Sequence, residues 1–141
     1  MLSGNKIDLI KFVQTPYLND DVGWADATPD LQKEVRIRFI ANVYRLVDTL
    51  RKLHPNVLFE SCASGGGRVD LGMLSRMDQV WTSDNSMAVD RLFIQYGYLS
   101  AMPANTMESW VLGNWNYQQN DQPPLSFKFD VAMSGLLGIG D

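Results

Sequence analysis

Apolar and polar positions along the chain fall into blocks whose period switches between two and about 3.6. Residues 7–13 are mostly apolar and β-branched, with Lys11 as the one awkward member near the C-terminal end. That is the look of a buried parallel strand. Lys11 is then either a strand-end ligand or a solvent-facing plug. Residues 14–24 carry Pro16, Asn19, Asp20, Asp21 and Gly23 and read as a loop. Thr28 and Pro29 suit an N-cap and first turn. The stripe Leu31, Val35, Phe39, Val43, Leu46, Val47, Leu50 and Leu53 follows at spacings of three and four, which predicts one long amphipathic helix. Arg36, Arg38, Arg45, Arg51 and Lys52 form its solvated face, and His54-Pro55-Asn56 ends it.

A second strand is expected over 57–59 and a third over 79–82, with a brief helix over 73–77 between them. Each strand breaks directly into small and polar residues, Glu60 to Gly67 after the second and Ser83-Asp84 after the third, as parallel strands do when they deliver side chains to one rim. Asn85-Ser86 suits the cap of a further helix with Met87, Ala88, Leu92, Phe93 and Tyr96 on its apolar face and Gly97 as its stop. Residues 98–102 read as a fourth strand opening into a long polar loop from Pro103 through Trp110, Asn114 and Pro123-Pro124. A last helix from Phe127 to about Leu136 and a glycine-rich tail complete the pattern. The class is α/β, with strands and helices in strict alternation and compatible with parallel crossovers. Four such units make half of an eight-fold barrel, for which about 250 residues are usual. The pattern therefore predicts either a small open sheet or one partial barrel domain over residues 1–141, truncated at both ends.

The 141 residues carry a net charge of −4 and no long apolar or low-complexity run. No basic patch suits nucleic acid, and no targeting or membrane-spanning segment is visible, so the expectation is a soluble, cytoplasmic chain with no nucleic-acid or membrane partner. Cys62 is the only cysteine and His54 the only histidine. That excludes an internal disulfide and argues against a Cys/His metal site or a Ser-His-Asp triad, which leaves acid–base work to carboxylates. Four tryptophans and five tyrosines supply either core or a sugar-stacking surface.

Ser64-Gly65-Gly66-Gly67-Arg68 lacks the Lys-Ser/Thr of a phosphate loop and the spacing of a dinucleotide fingerprint. Its glycines suit close approach of a ligand to main chain. Cys62 stands just before them, either facing that space or filling a small buried site. Arg68 and Asp70, two apart, are expected to pair with each other or with neighbours and hold the loop. Asp84 ends an apolar strand beside Trp81. An apolar wall would raise its pKa toward that of a general acid, while an Asp two residues before a helix can equally be a cap.

The motifs Cys62-Ala-Ser-Gly65-Gly66-Gly67-Arg68-Val-Asp70-Leu-Gly72-Met-Leu, Gln79-Val-Trp81-Thr82-Ser83-Asp84-Asn85 and Arg91-Leu-Phe-Ile94-Gln95-Tyr96-Gly97, with Val131-Ala132-Met133-Ser134-Gly135 near the end, resemble the catalytic core of the family-thirty-six α-galactosidases, the melibiase and raffinose-cleaving enzymes. The resemblance runs over nearly the whole chain. It implies strands four to eight, approximately, of a TIM (β/α)8 barrel, and retaining hydrolysis of α-galactoside oligosaccharides through two carboxylates at the barrel's C-terminal rim. It implies no metal or organic cofactor and a homo-oligomeric parent. Residue by residue, Asp84 matches the general acid/base, Lys11 a sugar-binding lysine, and Cys62 and Gly65 positions that line the galactose pocket; Arg68, Asp70 and Trp81 are left as loop and wall supports. A retaining pair stands about 5 Å apart, which neighbouring strand ends can meet.

One run departs from the family. After the matching lysine the family has Trp-Asp-x-Asn-Arg, with the Asp as nucleophile, whereas this chain reads Phe12-Val13-Gln14-Thr15-Pro16. Val13 cannot form a glycosyl-enzyme, and Asp20 or Asp21, several residues into a loop, is too far from attack geometry to replace it. Met87 and Asp90 are lesser departures. The resemblance thus also admits a catalytically dead carbohydrate-binding remnant, and a small flavodoxin-like binding domain is a third, weaker reading.

Overall fold

In a computed structural model of the protein, residues 6–13, 34–113 and 123–140 are described. Their five strands are β1 (Leu9–Val13), β2 (Leu58–Cys62), β3 (Gln79–Trp81), β4 (Met107–Leu112) and β5 (Leu136–Gly140). All neighbours pair in parallel, in the order β1-β2-β3-β4-β5, and the sheet curls into a half-barrel. The helices are α1 (Val35–Leu53), the short α2 (Leu71–Leu74), α3 (Ala88–Leu99) and α4 (Leu125–Ala132).

Alternation along each strand divides the residues between two faces. Outward-facing Phe59 meets Val43 and Val47 of α1, with Met73 and Met77 completing a buried cluster that Ile10, Phe12, Phe39 and Leu50 flank. Of the stripe that the helical period predicts, Phe39, Val43, Val47 and Leu50 are seated on the sheet, while Leu46 and Leu53 are exposed and Leu31 lies outside the described residues. The helix-side seam is also pinned by charge. Asp78 takes two hydrogen bonds from Arg51, at 2.6 and 3.2 Å, and one from the Phe59 amide at 2.8 Å.

The C-terminal half corrects several expectations. Residues 98–102 are not a strand: α3 runs through Gly97 to Leu99, and the Met102 amide still donates to the Tyr98 carbonyl at 2.9 Å. A Cβ at Gly97 would meet nothing within 4 Å, so that glycine is an exposed helix position and not a stop. The strand lies further on, at 107–112, in the stretch expected as loop. Met107, Ser109 and Val111 point to the helices and are buried, while Glu108 and Trp110 point inward. The glycine-rich tail is the fifth strand. Gly138 and Gly140 pair with Trp110 and Leu112, and a Cβ on either would come within 2.5 and 2.6 Å of the Trp110 ring. Trp110 lies over them, so no side chain fits there. The last helix also ends early, at Ala132. Thr28 and Pro29, the expected start of α1, lie outside the described residues.

Candidate functional site

The inward face carries the chemistry. In register across it stand Lys11, Glu60 and Gln79, and one step further Trp81 beside Glu108. Lys11 Nζ lies 2.8 Å from Glu60 Oε1. The Gln79 amide donates to Glu60 Oε2 at 3.1 Å. The same ammonium sits 4.6 Å from the Trp81 ring centre and 5.4 Å from that of Trp110, and the two indoles meet edge to face at 5.8 Å. A cation held by a carboxylate between two aromatic faces is favoured by both attractions.

Glu60 is fully buried and Glu108 is 6% exposed. Burial, a hydrogen bond to the Glu60 carboxyl and that carboxyl's charge push the Glu108 pKa up to about 8, against the Trp110 indole N–H and the Lys11 ammonium. On the far side of β4, Arg91 is 2% exposed and donates to the Glu108 carbonyl at 2.9 Å and to Gln95 at 3.0 Å. Burial lowers its pKa to about 10, partly offset by Glu108. Its guanidinium also lies 5.0 Å from the Trp81 ring.

Trp81 connects this interior to the rim. Its indole N–H donates to Asp84 Oδ1 at 3.0 Å, and Asp84 is exposed. Trp81 thus offers Asp84 a polar edge and not the apolar wall that the strand pattern predicts. The side chain that accepts a backbone N–H at the start of α3 is Asn85, from Met87 at 3.0 Å. Asp84, the alternative cap, points its carboxylate toward Trp81.

Cys62 ends β2, buried, opposite Val13 at the end of β1. Beyond it the chain takes φ 48° at Ser64 and 79° at Gly65. A Cβ at Gly65 would stand 2.6 Å from Ser83 Cα, and one at Gly66 2.7 Å from the Thr82 carbonyl. The close approach that these glycines provide is therefore taken up by residues 82–84, and Gly65 locks the loop after β2 against the loop bearing Asp84. Arg68 closes the loop from below by donating to the Cys62 carbonyl at 2.8 Å and to the Phe12 carbonyl at 3.4 Å. Asp70 caps α2, accepting from the Met73 amide at 2.9 Å and from the Tyr44 hydroxyl at 2.7 Å.

Of the residues singled out in the sequence, Lys11, Trp81 and Asp84 form one connected line from interior to rim, and Cys62, Gly65, Arg68 and Asp70 build the loop beside it. Val13 is 52% exposed at the end of β1. Strand β2 lies between β1 and β3, so Val13 and Asp84 belong to next-but-one strands, not to neighbouring ones. Thr15, Pro16, Asp20 and Asp21 lie outside the described residues. Sequence reading missed Glu60 and Glu108, although both occupy inward positions of an alternating strand. Among the described residues no group of three or more His, Cys, Asp or Glu side chains could hold a metal ion.

The Melibiase family model matches residues 1–140. Alpha-galactosidase 1 of Pediococcus pentosaceus is 39% identical over 138 residues, which are 98% of this chain and 19% of that protein. A probable alpha-galactosidase G of Emericella nidulans is 46% identical over 102 residues, 72% of this chain and 14% of the other. Among solved structures, the GH36 alpha-galactosidase AgaA of Geobacillus stearothermophilus is similar at TM-score 0.88 and 37% identity, over 98% of this chain and 19% of that one. A variant of AgaA in complex with raffinose is similar at TM-score 0.85 and 37% identity, over 94% and 18%. The chain thus spans about a fifth of the length of the curated relative it matches over 138 residues.

Proposed function

This chain belongs to the Melibiase family, and from that premise we propose that it supplies strands four to eight of the (β/α)8 barrel of a retaining α-galactosidase. The substrate class is oligosaccharides with a terminal α-galactosyl unit, of the melibiose and raffinose type. The observation that carries the reading is the line from Lys11 through Trp81 to Asp84, which joins a cation on the inner face to an exposed carboxylate at the rim. Asp84 protonates the glycosidic oxygen as the bond to the leaving group breaks, then takes a proton from the water that releases the sugar. Lys11, Cys62 and Gly65 position the galactosyl unit; Arg68, Asp70 and Trp81 hold the surfaces that carry them.

A retaining mechanism needs a second carboxylate, and the position that would bear it is Val13. The 141-residue polypeptide is therefore expected to show no turnover, and hydrolysis of a nitrophenyl α-galactoside by it would overturn that expectation. The exposed aliphatic side chain at that strand end favours one second reading, a galactoside-binding unit without catalysis. Val13→Asp within a longer polypeptide bearing the complete barrel separates the two: activity gained supports the hydrolase, while sugar binding without activity supports the binding unit.

A further inference from the structure

Two carboxyl groups meet on the inner face where one cation is at hand. Glu60 and Glu108 are both buried on that face and their carboxyl groups interact, while Glu60 Oε1, apart from the Lys11 ammonium, and Glu108 Oε2 find no hydrogen-bond partner. Glu60 is in addition ion-paired to Lys11 and takes the Gln79 amide. Two carboxylates in one buried cluster cannot both stay charged against a single ammonium, and the unpartnered oxygens leave room for a proton between them. We propose that Glu108 is held protonated and donates to Glu60, and that this shared proton positions the Lys11 ammonium between Trp81 and Trp110, aimed at the rim. With one proton in the pair, Glu60 and Lys11 balance and the cluster is neutral. Once that proton is lost, two carboxylates compete for one ammonium and draw Lys11 down from the indoles.

The charged groups that face Glu108 are Glu60 from β2, Lys11 from β1 and, behind β4, Arg91 from α3. Burial and the neighbouring Glu60 carboxyl favour the neutral acid, and the Glu108 pKa near 8 agrees with that arrangement. Glu60 and Glu108 are thus positioning residues, acting on a ligand only through Lys11. Their use in sugar recognition rests on the α-galactosidase reading, whereas the shared proton does not.

The test is a pH titration of the 141-residue chain followed by NMR, with 13C-labelled glutamate carboxyls and the indole N–H signals of Trp81 and Trp110. The Glu108 carboxyl is expected to titrate near pH 8, with both indole signals moving at the same midpoint. Glu108→Gln keeps a neutral donor and should leave the indoles in their low-pH positions at every pH. Lys11→Met removes a cation that favours ionisation and should move the midpoint upward. In the wild-type chain, raffinose-induced shifts should weaken several-fold above pH 8, and in Glu108→Gln they should not. Titration of Glu108 in the ordinary carboxyl range, or indoles that ignore its midpoint, would overturn the proposal. Undispersed indole signals would overturn it too, because the free chain would then hold no cluster. An absent raffinose response beside the carboxyl and indole transitions would instead count against the galactoside reading alone.

Discussion

The two faces of the sheet are built on opposite terms. The outer face is largely apolar: Phe59, Val80 and Met107 are buried beneath the helices, and the polar side chains Asp78, Arg91 and Ser109 there have partners of their own, Asp78 in a guanidinium and a backbone N–H, Arg91 and Ser109 in Gln95. The inner face is polar at its centre, with Lys11, Glu60, Gln79 and Glu108, and open at its margins, where Leu9, Leu58 and Leu136 are all more than a third exposed. Apolar burial on one face supplies the stability that lets the other hold charges in a strained balance. The difference teaches where to look for chemistry in such a strand: at the polar residues alternating with core residues, not at the polar loops alone.

The comparison is broken most forcefully by removing the outer face's central side chain. Phe59→Ala, at a position with no exposure, should cost about 3–5 kcal/mol, measured by chemical denaturation. A loss below about 1 kcal/mol would mean that the stability does not reside on the helix side.

Next in size is the contrast in pH dependence. Burial and Glu60 raise the pKa of Glu108 to about 8, against an ordinary value of 4.5. The folded chain then holds a proton that the unfolded chain releases, so stability should fall as pH rises from about 4.5 to 8 and level off above, by an amount on the order of a few kcal/mol. Asp78 has the opposite sign. Burial pushes its pKa up, but the Arg51 guanidinium and the Phe59 N–H outweigh it, and the result is below the ordinary 3.8. Its contribution is present above that value and is lost as pH falls through the depressed pKa; being partly exposed, it is worth about 1 kcal/mol. Melts across pH 3 to 9 should show both limbs. Glu108→Gln should flatten the upper and Asp78→Asn the lower, each leaving the other in place.

How much of this could be read in the sequence follows the same division. Strands β1 to β3 and the long helix were legible because apolar runs and the stripe members Phe39, Val43, Val47 and Leu50 report the outer face directly. Strand β4 was not. Tyr98 to Met102 has strand composition yet continues the turns of α3, because helical hydrogen bonding extends past a glycine that faces only solvent. Glu108 disguises a strand that alternates as regularly as the others. Strand β5 was hidden for a non-local reason, since Gly138 and Gly140 are required by Trp110, a residue on another strand. At the site, Lys11, Trp81 and Asp84 stood out by position at strand ends. Glu60 and Glu108 did not, because both fell in stretches expected as loop, Glu60 just past the second strand and Glu108 in the polar run after Pro103, where a carboxylate has no inward face to point to.

Two glycines sharpen the contrast between a packed rim and a free helix surface. Gly65→Ala puts a Cβ against Ser83 Cα at a φ of 79°, and should cost about 1–3 kcal/mol while displacing the Asp84 loop. Gly97→Ala, in α3 with open space around it, should stabilise by about 0.5–1 kcal/mol. Thermal melts of the two variants should move in opposite directions, and a loss at Gly97 would mean that its helix face is covered.

The smallest expected change in stability is at the position with the largest expected change in chemistry. Val13 is 52% exposed at the end of β1 and packs into neither the outer core nor the Lys11 cluster. Val13→Asp should therefore alter stability by less than about 0.5 kcal/mol. Its carboxylate would stand at the rim end of the strand that carries Lys11, two residues beyond that cation and on the same face. Lys11 is shared with Glu60, so the new charge must compete for it, and the Trp81 indole signal should report the competition by shifting. A shift with unchanged stability would place Val13 at the working edge of the inner face. A loss above 1 kcal/mol would mean instead that this strand end is part of the packed half of the molecule.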